Sequence, residues 1–377
     1  IPIDDRVRTA LGDRFSGIYD DYSPTGISDL AITLERQKLG DPLDLKVIVK
    51  PTRASLSHKF FPYRIDEVQG EIIFDISGKK LLLRDLIGQH GISPINLSAG
   101  YVDLVTGDME LPIESQRLVP DEDLLAALPD DVEARLRSLD ILNGGGALET
   151  VVELYRKDQP KIAVYVRSRV IEPLQLKYSA LPYPLIFHGG QVVYSSTEER
   201  VRLDDLYTDP TASPIIRVSG EIGPDDSAIP LGFNSTLMAI GLSIEEGPDS
   251  RGLALDEQKL VSSLPPDPKS FVEKMNLSGQ VTGSLNVVHR YGTNSNGEGT
   301  QIVEYDARGK LKNGGLDFGL NAEELFADFE LHGGIEPGSG HTFSGQLQNL
   351  SLNFNKFLAT VPEDRTLDFT YGVTHPR

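Results

Sequence analysis

The sequence predicts a mostly β protein: tandem antiparallel β-sheet repeats forming an elongated, curled groove, punctuated by short amphipathic helices. Three observations carry this. First, the stretch from Phe61-Pro62-Tyr63 to Gly100 recurs from Leu181-Pro182-Tyr183 to Gly220 without a gap, at an offset of 181 − 61 = 120 residues. Pro62, Tyr63, Gly70, Leu83, Asp85, Leu86, Ser93, Pro94, Ile95 and Gly100 fall on Pro182, Tyr183, Gly190, Leu203, Asp205, Leu206, Ser213, Pro214, Ile215 and Gly220. A long-period repeat fixes architecture ahead of any local motif. Second, long stretches alternate with period two, as half-buried strands do. Third, three segments of helical period separate those stretches.

The helical segments come at 4–22, 121–139 and 256–275. Val7, Leu11, Phe15, Ile18 and Tyr22 share one helix face, and Pro24 and Gly26 end the segment. Leu125, Leu128, Val132, Leu136 and Leu139 make the second stripe, closed by Asn143-Gly144-Gly145-Gly146. Leu260, Leu264, Phe271 and Met275 make the third. Pro265, Pro266 and Pro268 interrupt it, which predicts two short helices. These marks divide the chain into unit 1 (1–118), unit 2 (119–254) and an incomplete unit 3 (255–377).

Between the marks, Leu43, Leu45, Val47 and Val49 alternate with polar or paired positions, as do Ile72, Phe74 and Ile76. The same holds for Ile162, Val164 and Val166, for Val303 and Tyr305, and for Leu350, Leu352 and Phe354. Turn signals sit at Gly78-Lys79, Ser195-Ser196 and Asn294-Ser295-Asn296-Gly297. Such spacing predicts about five or six antiparallel strands per unit. Pro62 and Pro182 cannot donate to a ladder, so they mark strand starts, with Tyr63 and Tyr183 packing inward. A sheet of that width has an apolar face that one short helix cannot cover. Folding the sheet over on itself, stacking of repeats into a shared core, or a trough left for a ligand resolves this, and the repeat favours stacking.

The totals exclude several function classes. The net charge of −20 opposes a nucleic-acid partner, which needs clustered Lys and Arg. With no cysteine there is no disulfide, thiolate metal site or Cys nucleophile. No run reaches the ~18 apolar residues of a membrane span. The chain opens at Ile1 rather than Met and reads as a piece of a longer protein.

The chemistry-bearing motifs read as structural. His332 and His341, the nearest histidine pair, lie among glycines and read as surface loop rather than metal site. Asn294–Glu298 lacks the acidic spacing of a Ca²⁺ loop and reads as a hairpin turn. Asp205 repeats Asp85, but Asp204 stands where the first copy has Arg84, so Asp204-Asp205 is not a recurring carboxylate pair. Asp130-Asp131 follows Pro129 and reads as a helix start. Pro337-Gly338-Ser339-Gly340 is no GxSxG elbow. No catalytic or metal-binding residue and no cofactor is expected.

Ala127-Leu128-Pro129 and Ser263-Leu264-Pro265 in the helices, the two Pro-Tyr strand starts, and Gly70 and Gly190 together give the chain a family likeness. It resembles the AsmA/TamB-like envelope proteins of bacteria with two membranes, which are similar to repeating β-groove, bridge-like lipid-transfer proteins. The resemblance covers nearly the whole chain. It implies a long apolar groove in the periplasm or cell envelope, with a membrane anchor outside this sequence, handling phospholipid or another acyl-chain lipid without being an enzyme. A structural or adhesive β-solenoid of the envelope is the competing expectation. The candidate groove residues are Val47, Val49, Ile72, Phe74, Ile76, Val164, Val166, Val192, Tyr194, Val303 and Tyr305. Ile73 and Val193 leave the alternative that the other face lines it, since a one-residue shift flips every side chain.

Overall fold

A computed structural model describes residues 1–36, 44–59, 61–128, 133, 136–137, 139–178, 181–225, 233–263, 266–293, 299–317, 321–336, 340–354, 357–360 and 367–373. Leu43, Pro129, Asp130-Asp131, Val132, Leu264-Pro265, the Asn294–Glu298 turn, Pro337-Gly338-Ser339 and His375 lie outside them, as do the side chains of Leu11, Phe15, Ile18, Phe271, His341, Leu352 and Phe354.

The chain is mostly β, and every pairing with a defined register is antiparallel. In chain order the first elements are β1 (Pro2–Ile3), α1 (Asp5–Tyr22), β2 (Thr25–Glu35), β3 (Asp44–His58), β4 (Phe61–Asp75), β5 (Lys80–His90), β6 (Ser93–Asp103) and β7 (Met109–Leu118). Then follow α2 (Glu122–Ala127), a 3₁₀ turn (Ile141–Gly144), β8 (Ala147–Arg156), β9 (Ala163–Glu172), β10 (Leu174–Tyr178), β11 (Leu181–Ser195), β12 (Arg200–Thr208), β13 (Ile215–Pro224), β14 (Phe233–Glu245) and β15 (Leu253–Ala254). The last elements are α3 (Gln258–Ser263), α4 (Pro266–Lys274), β16 (Ser278–Thr293), β17 (Gly299–Asp317), β18 (Asn321–Glu336), β19 (Gly340–Phe354), β20 (Phe357–Thr360) and β21 (Leu367–Val373). Among the described residues unit 1 holds six strands besides the two-residue β1, within the expected number, and unit 2 holds seven besides the two-residue β15, one more than expected.

The 120-residue repeat is visible in the backbone. β4 and β11 cover the same first part of the copied stretch, 61–75 and 181–195, and β5 and β6 correspond to β12 and β13. Gly70 has φ +121 and Gly190 φ +102, and they face Asp85 and Asp205, both left-handed at φ 48 and 47. A Cβ on Gly70 would lie 2.4 Å from the Asp85 carbonyl, and one on Gly190 2.3 Å from that of Asp205. Only glycine permits that approach, so the two glycines recur because the same strand irregularity recurs.

α1 matches the expected 4–22 segment, whereas the expected 121–139 helix breaks early: α2 ends at Ala127, and Leu128 is extended (φ −81, ψ 158), as the residue before a proline is disfavoured from the helical region. Asp4 caps α1 by accepting from Arg6 N, and Ser23 ends it with φ 42. Asp121 caps α2 by accepting from Leu124 N at 2.8 Å, and Leu125 of that helix is fully buried. The proline-broken third segment forms two short helices, α3 and α4.

Contacts divide the chain into two compact units. One comprises Ile1–Leu174 with Val193–Thr197, and the other Gln175–Val192 with Glu198–Arg377. Within the first, β2 through β9 pair each with the next in chain order. Within the second, β12, β13, β14, β16, β17, β18 and β19 do the same, and β19 also carries β20 and β21. Consecutive pairing keeps every neighbour local in sequence, as a repeat of hairpins does.

Candidate functional site

The side chains of directly paired residues point to the same face of a sheet, so register alone assigns each face. In the first unit one row runs Val47, Phe74, Leu81, Val102, Met109 across β3 to β7. A second runs Val49, Ile72, Leu83, Gly100. A Cβ on Gly100 would lie 2.9 Å from Leu111 Cδ2, so Leu111 covers that glycine. Leu111 then pairs with Leu154 and Leu154 with Val164, while Ile113, Val152 and Val166 form the adjoining row. Seven of the candidate residues therefore lie on one apolar face: Val47, Val49, Ile72, Phe74, Ile76, Val164 and Val166. Five of them pack together, since Val47, Val49, Ile72 and Ile76 surround the buried pair Phe74 (8% exposed) and Leu81 (6%). Val164 and Val166 stay half-buried.

The second unit repeats the arrangement. Its apolar rows run Val201, Ile222, Met238, His289, Val303, then Leu203, Gly220, Ile240, Val287, Tyr305, then Val218, Leu242, Leu285, Ala307, Leu331. The candidates Val303 and Tyr305 both belong to this face. Most of these side chains are half-buried, and burial raises the Tyr305 phenol above its ordinary pKa.

The opposite faces carry the charge. In the first unit Lys46, Asp75, Lys80 and Asp103 form a row of alternating sign, and Lys50 bonds Glu71 at 2.6 Å. An inner row of Ile48, Ile73, Leu82 and Tyr101 keeps part of this face apolar. In the second unit Arg200 pairs with Glu221 (2.9 Å), Arg290 with Glu304 (2.7 Å), Arg308 with Glu330 (3.6 Å) and Lys310 with Asp328 (3.9 Å). A shallow cavity of about 460 Å³ lies on this side, lined by Ser243, Thr282, Ser284, Arg308, Lys310 and Asp328 among others.

Strand β11 differs. Val193 (3% exposed) is its buried residue there, with Ser195, while the candidates Val192 and Tyr194 are half-buried. In β4, by contrast, both Ile73 and Phe74 are buried. The repeat therefore preserves the backbone while the more tightly packed parity changes.

The two Pro-Tyr tyrosines pack inward and meet acidic helix starts. Tyr63 stacks on His90 with centroids 4.0 Å apart, and His90 Nε2 lies 3.2 Å from the α2 cap Asp121 and 3.4 Å from Asp123. Burial first, then Asp121, raises the Tyr63 phenol pKa. Tyr183 donates to Glu257, just before α3, at 3.1 Å. Its pKa is pushed up to about 12, by burial and then by Glu257.

His332 and His341 fall on strands β18 and β19 instead of a surface loop. His332 stands opposite Ser344 and pairs with Asp306, whereas His341 stands opposite Ile335. His332 and Ile335, the partner of His341, are three residues apart, so the two histidines take ladder positions of opposite parity. Among the described residues no group of three or more potential ligands converges. The residues the sequence reading passed over are Leu81, Leu83, Val102, Leu111 and Leu154, and Leu242, Leu285 and Val287. Each is an alternating position in a strand whose partner was not yet known.

Comparison of the chain with protein-family models, curated proteins and solved structures finds no match.

Proposed function

We propose that this chain is a non-enzymatic lipid-handling module, and that its apolar sheet face takes the acyl chains of a phospholipid or similar lipid. The observation that supports it is the unbroken apolar face running from β3 to β9 in the first unit and from β12 to β18 in the second. The seven strands β3–β9 of the first unit, at ~4.8 Å spacing, give a ladder of about 29 Å. That is comparable to the ~30 Å hydrocarbon core of a bilayer, which two acyl chains span end to end. Each CH₂ transferred from water to such a surface contributes about 0.8 kcal/mol, so a chain is held without a specific polar contact. The family resemblance adds a periplasmic or envelope location, with anchoring supplied by sequence outside this chain.

The experiment is native mass spectrometry of the purified protein, joined to crosslinking with a photoreactive phospholipid and mapping of the adducts. Adducts confined to the rows of Val47, Val166 and Val303 are expected. Wild-type protein that carries no lipid and captures none would sink the reading and leave a structural β-solenoid of the envelope in its place.

A further inference from the structure

The cavity on the charged face of the second unit is set out by strand register. Ser284 stands opposite Arg308, and Thr282 opposite Lys310, across β16 and β17. On β14, Ser243 stands opposite Ser284. On β18, Glu330 stands opposite Arg308 and Asp328 opposite Lys310. All of these line the cavity of about 460 Å³. The directly paired Gly283 and Gly309 form its floor between the two rows. A second cavity of about 320 Å³, lined by Ser284, Asn286, Asp306 and Arg308, shares Ser284 and Arg308 with the first. The cleft therefore continues along β16 and β17 over three rows, about 13 Å of strand.

The walls select the ligand. Small-molecule sites are usually ~300–1,000 Å³ and mostly apolar. This cleft has the volume, but its side chains are mostly hydroxyls, amides and charges. Phe329 of β18 packs over Gly309 on the other face. Arg308 and Lys310 are balanced by Glu330 and Asp328, so the first cavity carries no net charge. An anion drawn to the two cations would meet the two carboxylates one strand away, and a cation would meet the reverse. Arg308 approaches Glu330 only to 3.6 Å and Lys310 approaches Asp328 only to 3.9 Å, both beyond hydrogen-bond length. These donors and acceptors therefore keep capacity for a ligand, although Asp328 also accepts from Asn349. A sugar hydroxyl donates and accepts at once, which is what a carboxylate beside a cation demands.

We propose that this cleft is a binding site for a neutral oligosaccharide, whose hydroxyls donate to Glu330 and Asp328 and accept from Arg308, Lys310, Ser284 and Thr282. The two joined cavities favour a chain of sugars over a single ring. The cleft lies on the face opposite the proposed lipid surface, so it stands independently of the lipid reading.

The test is saturation-transfer NMR on the whole chain with three neutral tetrasaccharides: maltotetraose, cellotetraose and tetra-N-acetylchitotetraose. At least one should receive saturation. The Arg308→Gln, Glu330→Gln double variant keeps side-chain size and removes both charges. It should weaken that binding at least about tenfold, because hydrogen bonds to charged groups are the strong ones. The same changes at Arg200 and Glu221, an ion pair outside the cleft, should leave binding unchanged. If the Arg308, Glu330 variant loses its β circular dichroism, Ser284→Leu replaces it, since Ser284 is exposed and lines both cavities. Saturation of none of the three sugars overturns the proposal, as does wild-type binding by a folded cleft variant. Displacement of the bound sugar by inorganic phosphate also overturns it, since the cleft is then an anion site.

Discussion

Aspartate placed at two positions of the same apolar face should have two different consequences. Phe74 is 8% exposed and forms with Leu81 a buried pair against which Val47, Val49, Ile72, Ile76, Leu83, Val102 and Leu104 pack. Truncating a buried Phe costs about 3–5 kcal/mol. A carboxylate left among those side chains adds roughly 1–3 kcal/mol or more. Phe74→Asp should therefore lose more than about 4 kcal/mol, against a usual total of about 5–15 kcal/mol. Val166 is half-buried beside Val152. Half of a valine's ~1.5–3 kcal/mol burial is at stake, and the new carboxylate reaches water, so Val166→Asp should cost about 1–2 kcal/mol. Urea melts followed by circular dichroism measure both. Photoreactive-lipid capture then separates fold from function. Val166→Asp should keep the β spectrum and lose adducts across β8 and β9, while Phe74→Asp should lose cooperative unfolding of the first unit. Wild-type capture by a folded Val166→Asp protein would show that lipid does not run over this face. A Phe74→Asp protein within about 1 kcal/mol of wild type would refute the packing argument itself.

Gly70→Ala and Gly190→Ala should each cost about 1–3 kcal/mol or more in chemical denaturation, because each Cβ would meet an aspartate carbonyl while the residue sits at positive φ. Gly17, inside α1, has nothing within 4 Å of a built Cβ, so Gly17→Ala should stabilise by about 0.5–1 kcal/mol. Tyr183 ionises near 12 in the folded state against a reference of 10.0. The folded state thus holds the proton more tightly. The associated stability is complete below about pH 10 and is lost as pH rises through about 12. Tyr183→Phe should flatten that part of a stability-against-pH curve and remove one late phenolate transition from an absorbance titration.

The candidate face was largely legible because alternation and register obey the same period. Choosing Val47 and Val49 in one strand and Ile72 and Phe74 in the next selects residues that turn out to be directly opposed. What could not be read was continuity. Leu81, Leu83 and Val102 complete the face only once β5 and β6 are known to follow β4 in the ladder, and sequence alternation does not carry strand order. His332 and His341 show the same limit. Nine residues apart, they look like neighbours in a glycine-rich loop, and the hairpin register gives them ladder positions of opposite parity.

The sequence by itself determined the elements: the 120-residue period, the helix at 4–22 and the start of the one at 121, the proline break between α3 and α4, and the glycines at 70 and 190. These are local consequences of covalent geometry, capping and side-chain period, and they act within a few residues. Only the tertiary structure decided which parity of each strand is the buried one. β4 buries both Ile73 and Phe74, and β11, its copy, buries Val193 with Val192 and Tyr194 half-covered. Strands with matching bounds and a matching positive-φ glycine reach different burial because exposure depends on what lies against each face. That is set by contacts far along the chain, which the repeat does not preserve.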